Sequence, residues 1–175
     1  VGSFGIQIAK LYNCKVIATA SPDKLDKCKQ LGADYAVDHR KDDWHKEVRA
    51  ITKEIAKETG VSPGIDISFD HIGQTHWNKQ LQNLKYGATL VSCGATTGYD
   101  AMTDLRHVFF KGINILGSTQ GTRAELEEGV YWMGQGKIKA TIDSTWSFEQ
   151  AHEAHTKMLT GKGLFGKILM KPEGA

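Results

Sequence analysis

The stretch VGSFGIQIAKL (residues 1–11) decides the fold, because a cluster of small residues leads directly into an apolar helical face. In the dinucleotide fingerprint G-x-G-x-x-G, Gly2 is the second glycine and Gly5 the third, with Ser3 between them. Such glycines permit a tight bend, and the helix that follows presents N–H groups to a pyrophosphate. A partial fingerprint is also common in simple helix packing, so the rest of the chain has to support it.

Composition indicates an ordinary globular domain. The 175 residues are 40% hydrophobic and 24% charged, with a net charge of +2 and basic residues scattered along the chain. This argues against a nucleic-acid surface, and no apolar run has membrane-spanning length. No secretory signal is expected before the first helix. Cys14, Cys28 and Cys93 form no C-x-x-C pair, which predicts free thiols, no structural zinc and a cytoplasmic protein.

Strand and helix patterns alternate from the first residue to the last. The predicted helices are 3–12, 22–32, 43–59, 75–84, 104–111, 123–134 and 148–159, and the predicted strands are 15–20, 33–37, 65–70, 88–93, 113–117, 140–143 and 166–170. The turn Tyr86–Gly87 is expected to separate a helix from a strand. Strands of continuous apolar character between helices are typical of a parallel sheet covered on both faces. The fold class is therefore α/β, a Rossmann-like doubly wound parallel sheet.

The ends of the predicted strands carry small or polar residues. In an open α/β sheet, ligands bind beyond the carboxyl ends of the strands. After the first predicted strand, an acidic residue would select NAD by binding its ribose hydroxyls. Here Ser21 can bind a 2′-phosphate and Lys24 can neutralise it, whereas Asp23 complements the dipole of the next helix. The pattern favours NADP over NAD.

Several segments resemble the cofactor-binding half of the medium-chain dehydrogenase/reductase superfamily, which includes zinc-type alcohol dehydrogenases and quinone oxidoreductases. The segments are VGSFGIQIAKL, VIATASPDKLDKCKQLGADYAVDHR, FDHIGQTHWNKQLQNLKYGATLVSCGATTG, INILGSTQGTRAEL and SFEQAHEAHTKMLTGKGLFGKILMKP. The resemblance implies hydride transfer between NAD(P)H and an alcohol, carbonyl or activated alkene. It also implies cofactor-binding roles for Gly2, Ser3, Gly5, Ser21, Lys24, His71, Ile72, Gly73, Gly94, Ala95, Thr96, Gly117, Ser118, Phe165, Gly166 and Lys167.

The resemblance also predicts which parts of the family's structure are missing from this sequence. Residues 1–145 are expected to be an N-terminally truncated NAD(P)-binding Rossmann domain, and residues 146–175 a helix and strand that return toward a catalytic domain. The first strand and the catalytic domain would precede Val1, so we assign no catalytic residue and expect zinc only in that domain. Because the first strand is central in this fold, its absence predicts a sheet divided into two halves.

Four features have a plainer interpretation than a functional one. His152 and His155 are three residues apart with no third ligand, so packing or surface histidines are expected. Cys93 is expected to be a small buried residue. Asp70 is interpreted as structural and His71 as lining the crevice. The aromatic residues Tyr131, Trp132, Trp146 and Phe148 are expected in the core or in an interface.

The expected partners are a small-molecule substrate and a second copy of the chain. The apolar strand Ile113–Leu116 is predicted to be a sheet edge, and related proteins commonly pair this strand across a two-fold axis. No nucleic-acid or membrane partner is expected. A non-catalytic module that senses NADP(H) is the alternative to an oxidoreductase.

Overall fold

Helices and strands alternate in the structure, a computed structural model that describes residues 1–172. The helices are α1 (Gly2–Leu11), α2 (Leu25–Gln30), α3 (Trp44–Thr59), α4 (Gln74–Asn83), α5 (Leu105–Lys111), α6 (Arg123–Gly134) and α7 (Ala151–Thr160). The strands are β1 (Ile17–Ala20), β2 (Tyr35–Asp38), β3 (Ile65–Asp70), β4 (Leu84–Ser92), β5 (Asn114–Gly117), β6 (Ile142–Ser147) and β7 (Lys167–Lys171). Short 3₁₀ turns, Pro22–Lys24 and Phe148–Gln150, lead into α2 and α7.

The strands form separate parallel sheets. β1 pairs with β2, β6 pairs with β7, and β3, β4 and β5 form a three-stranded sheet in that order. β1–β2 and β3–β4–β5 are separate sheets, in agreement with the predicted two halves, while β6–β7 forms a third sheet that this prediction did not include.

The first compact unit comprises Val1–Asp38 and residues 124–172. Its core contains Ile6 of α1, Cys28 of α2 and Ala33, and Phe165 packs against this cluster. Burial raises the pKa of the Cys28 thiol, and the charge of Lys24 opposes this shift. The predicted boundary at residue 145 remains a prediction, and residue 175, the predicted end of the second segment, lies outside the described residues.

The second compact unit is His39–Arg123. Its core consists of Leu81, Leu84, Ala88, Leu90 and Ile113, with Ile65 and Trp77 packed against it. Lys111 at the end of α5 donates to the carbonyls of Leu81, Gln82 and Leu84, at 3.3, 3.0 and 2.8 Å. These bonds satisfy acceptors that the end of α4 leaves without a helical partner. Gly112, in the left-handed conformation, ends α5 where the sequence predicts.

The predicted turn Tyr86–Gly87 lies inside β4 rather than before it. Ile65 pairs with Leu84, but Ile67 pairs with Thr89, so the register shifts between the two pairs. Gly87 takes φ of +71° within the shifted segment. The turn residues were identified correctly, but they make a bulge because the chain on both sides of them pairs with β3.

One expectation about burial is wrong, because Cys93 is half-buried rather than buried. Tyr131 and Phe148 are 58% and 57% exposed, which excludes the core for these two side chains and leaves an interface as their predicted place. Ser21 stands at the N-cap position before the 3₁₀ turn that leads into α2, but its hydroxyl makes no capping bond.

Candidate functional site

The carboxyl ends of β3, β4 and β5 are level with one another. Asp70 pairs with Ser92, and Ser92 pairs with Gly117, so the residues after these three positions emerge at one edge of the sheet. The Cys93 N–H donates to the Asp70 carbonyl at 2.9 Å, and the Ser118 N–H donates to the Ser92 carbonyl at 2.8 Å. The structure thus brings together the second-unit residues that the sequence predicts, which are His71, Ile72, Gly73, Gly94, Ala95, Thr96, Gly117 and Ser118.

Two loops at this edge are joined by hydrogen bonds. We call residues 71–73 the first loop and residues 94–98 the second loop. Thr96 Oγ1 donates to the His71 carbonyl at 2.9 Å, and both the N–H and Oγ1 of Thr97 donate to the Ile72 carbonyl at 2.8 Å. Since these bonds use neighbouring carbonyls of the first loop, the two loops form one local structure.

Glycine is required where the loops touch. Gly73 has φ of +84°, and a Cβ there would lie 2.7 Å from the Gly98 carbonyl oxygen and 2.9 Å from the Ala95 Cα. Gly94 is also close to the first loop, since its Cβ would lie 3.3 Å from the His71 carbonyl oxygen. By contrast, a Cβ on Gly117 would meet no atom within 4 Å, so the end of β5 is open.

The carboxylate of Asp70 holds the first loop from inside the protein. It accepts hydrogen bonds from the N–H groups of Ile72 and Gly73. Burial lowers the pKa of His71. A lowered pKa favours the neutral imidazole, so His71 contributes no fixed positive charge at neutral pH.

The other predicted residues belong to the first unit. Gly2, Ser3 and Gly5 lie in the first turn of α1, where the Val1 carbonyl accepts from the Gly5 N–H at 3.0 Å. Ser21 is only 7% exposed, and the Lys24 N–H donates to its carbonyl at 2.9 Å.

Phe165, Gly166 and Lys167 lie where the chain enters β7. The Lys27 ammonium lies 5.4 Å from the centre of the Phe165 ring. A Cβ on Gly166 would collide with the carbonyl oxygen of Thr141, while the Lys167 N–H donates to that same oxygen at 2.8 Å. Gly166 is therefore required for the pairing of β7 with β6.

Phe165 and Lys27 also line a cavity of about 260 Å³ in this unit, together with Leu31 and Asp143. Asp143 pairs with Lys157 and accepts from the Phe165 N–H at 2.9 Å. The Lys157 hydrogen bond and the Phe165 N–H lower the pKa of Asp143 to about 2. The carboxylate is thus ionised at neutral pH and fixes the chain before β7.

Sequence reasoning missed the residues that join the two loops. Thr97 was not among the predicted site residues, nor was Gln74, whose N–H donates to the Gly98 carbonyl at 3.1 Å and whose Nε2 donates to the Asp100 carbonyl at 2.6 Å. The available signal was Gln74 directly after Gly73 and Thr97 three residues after Gly94, both beside glycines that follow adjacent strands.

Within residues 1–172, no group of three or more His, Cys, Asp or Glu side chains could hold a metal ion. None of the helices in this range is both long enough and apolar enough to cross a membrane.

Comparisons with known proteins agree on one family. Residues 1–135 match the family model described as "Zinc-binding dehydrogenase". The chain is 29% identical to Dehydrogenase FUB6 of Fusarium oxysporum f. sp. lycopersici over 98% of this chain and 50% of that protein. It is 30% identical to Prostaglandin reductase 1 of Bos taurus over 98% of this chain and 53% of that protein. The chain thus spans about half the length of the curated relatives it matches.

A solved structure agrees with these relatives. An NAD-dependent alcohol dehydrogenase superposes with a TM-score of 0.85 and 34% identity, over 97% of this chain and 47% of that one. The resemblance to the medium-chain dehydrogenase/reductase superfamily and the Rossmann-like fold class are therefore confirmed. From the matched family model, the parallel sheets and this superposition, we conclude that the chain belongs to the zinc-binding dehydrogenase family.

Proposed function

We propose that this chain is the cofactor-binding portion of an NAD(P)-dependent oxidoreductase that transfers a hydride to or from an alcohol, a carbonyl or an activated alkene. The observation that carries the proposal is the pair of hydrogen-bonded loops at the level carboxyl ends of β3 and β4. This is where open α/β sheets bind their ligands. The names of the relatives, a dehydrogenase and a reductase, support redox chemistry.

The residues present suit a dinucleotide. In the second unit, we assign the nicotinamide end to the first and second loops and to Gly117 and Ser118. The Ala95 and Thr96 N–H groups have no backbone acceptor in residues 1–172, so they are available to a ligand. In the first unit, we assign the pyrophosphate and adenosine contacts to the first turn of α1 and to Ser21 and Lys24. Phe165, Gly166 and Lys167 complete the proposed set.

The cofactor supplies the hydride when it is bound, and this chain binds and orients it. The backbone groups of the two loops fix the ring that carries the hydride. The zinc named in the family description does not fit the described residues, which contain no suitable ligand cluster. We therefore derive no step through a metal from this chain, and propose that any catalytic zinc is held outside it.

NADP is proposed as the preferred cofactor, although one similar structure is of an NAD-dependent enzyme. If Lys24 binds the 2′-phosphate, NADPH should bind the wild-type chain more tightly than NADH. Lys24→Ala should weaken NADPH binding about tenfold, since one charge-assisted contact is lost. NADH binding should change little. Titration calorimetry measures both affinities.

The matched control for this experiment is Lys29→Ala, which removes an exposed lysine from the other end of α2. Equal affinities of the wild-type chain for NADPH and NADH would contradict the NADP preference. Binding of neither nucleotide would contradict the proposed function. A complete protein that binds NADPH tightly but does not oxidise it when an aldehyde, ketone or enone is supplied would favour the alternative. That alternative is an NADP(H)-sensing module.

A dimer through β5 is also proposed. β5 pairs with β4 on one side only within the described residues, and its Ile115 and Leu116 side chains are 40% and 53% exposed. We expect light scattering to give twice the monomer mass for the protein, and Leu116→Lys to shift it toward the monomer. A monomeric wild type would refute the edge-pairing model.

A further inference from the structure

One buried carboxylate holds the loop that follows β3. Asp70 is 1% exposed, and it accepts from the Ile72 N–H at 3.1 Å and from the Gly73 N–H at 3.2 Å. A third donor comes from α4, where Gln80 Nε2 lies 2.7 Å from the carboxylate. The orientation of this amide is fixed in turn, because Gln80 Oε1 accepts from Ser68 Oγ at 2.6 Å.

The three donors described above are neutral groups, so burying a charged carboxylate among them is unfavourable in free energy. Burying a charge is unfavourable, and an apolar side chain is often at least as stabilising in a packed interior. An apolar side chain, however, could not orient the two successive N–H groups of Ile72 and Gly73. Charge-assisted hydrogen bonds to backbone N–H groups are shorter and stronger than neutral ones. The buried carboxylate therefore fixes the conformation of the first loop, although an apolar side chain would be at least as favourable for packing.

The same arrangement extends to the second loop. Because the N–H groups of Ile72 and Gly73 are directed toward Asp70, the carbonyls of His71 and Ile72 are held for Thr96 and Thr97. The loops are also packed closely, since a Cβ on Gly73 would lie 2.9 Å from the Ala95 Cα. A change at Asp70 should therefore move both loops.

We propose that Asp70, supported by Gln80, is a positioning residue that sets the two loops in the conformation that binds the nicotinamide end of the dinucleotide. The proposal rests on the proposed function, because the loops are assigned to the cofactor there. Asp70 does not touch the cofactor in this scheme. It acts through the backbone of the first loop.

The test compares Asp70→Asn with the double variant Asp70→Asn/Gln80→Glu. Asparagine keeps the shape, but its NH₂ group faces other donors and leaves them without an acceptor. In the double variant, the carboxylate introduced at position 80 accepts from that NH₂ group and can still accept from Ser68. Asp66→Asn is the matched control, since it removes the same charge from the same strand at a side chain that is 71% exposed.

Three measurements on the full 175-residue chain decide the proposal: NADPH affinity by calorimetry, amide hydrogen exchange, and thermal unfolding. We expect Asp70→Asn to weaken NADPH binding at least tenfold at a temperature where it is fully folded. Exchange should rise at Ile72, Gly73 and Thr97 but not across the rest of the β3–β4–β5 sheet. The double variant should recover only part of the affinity, because Gly73 regains its acceptor while the Ile72 N–H still faces the NH₂ group that replaces Oδ1. Asp66→Asn should bind within twofold of wild type.

Other results distinguish failure of the positioning role of Asp70 from failure of the proposed function. If Asp70→Asn is folded and binds NADPH within twofold of wild type, the positioning role is wrong while the proposed function stands. A uniform rise in exchange, with affinity loss that follows the loss of thermal stability, would assign Asp70 a merely structural role. If wild type binds neither NADPH nor NADH, the proposed function fails first. Should Asp70→Asn not fold, Gln80→Leu removes one donor and gives the same comparison.

Discussion

Replacing Gly73 by alanine is expected to destabilise the second unit by about 3–5 kcal/mol and to abolish dinucleotide binding. Two effects add. The backbone there has φ of +84° and ψ of −134°, a region that disfavours a side chain. The new methyl group would also lie 2.7 Å from the Gly98 carbonyl oxygen and 2.9 Å from the Ala95 Cα, both of which are backbone atoms. Backbone atoms cannot move aside without moving the second loop. Urea unfolding followed by circular dichroism measures the loss.

Gly87→Ala is the matched control for this prediction. Gly87 lies in the same unit with φ of +71°, but a Cβ there meets no atom within 4 Å. It therefore isolates the conformational cost of a positive φ, which is about 1–2 kcal/mol. The difference between the two variants contains the steric contact between the loops together with the backbone cost of ψ of −134° at Gly73. Equal losses would mean that the second loop yields readily, which would contradict the close coupling described above.

The sequence predicts the local elements better than the contacts between them. The predicted strand 65–70 and helix 123–134 agree with β3 and α6, because their boundaries are marked by local signals. The Tyr86–Gly87 turn was placed outside β4, since only the pairing with β3 decides whether such residues end a strand or make a bulge. Local patterns contain no information about that pairing.

The same limit applies to the candidate site. Most of its backbone was predicted, because glycines and small residues at strand ends are visible in the sequence. The bonds from Thr96 and Thr97 to the first loop span 25 residues and depend on the register that sets Asp70 opposite Ser92. The donors around Asp70 come from a turn and from α4, and only the folded chain brings Gln80 to the carboxylate.

Leu90→Ala should cost about 3 kcal/mol, within the roughly 2–5 kcal/mol typical of leucine truncation in a core. Leu90 is on the central strand β4, is 0% exposed, and belongs to the cluster that includes Leu81 and Ile113. Truncation removes buried apolar surface and leaves a cavity, because neighbours on both sides are held by the parallel pairing of β4. The urea concentration at the unfolding midpoint should fall, while the slope of the free energy of unfolding against urea concentration stays the same.

Leu105→Ala is the control, since Leu105 is 69% exposed at the start of α5 and undergoes the same chemical change outside the core. It should cost less than about 1 kcal/mol, as surface substitutions usually do. The comparison also tests the second unit as a cooperative structure. If Leu90→Ala cost no more than Leu105→Ala, the cluster beneath the two loops would not be packed, and the loops would have no rigid base. A large difference means that the sheet edge carrying the candidate site is supported by the packed core of the second unit.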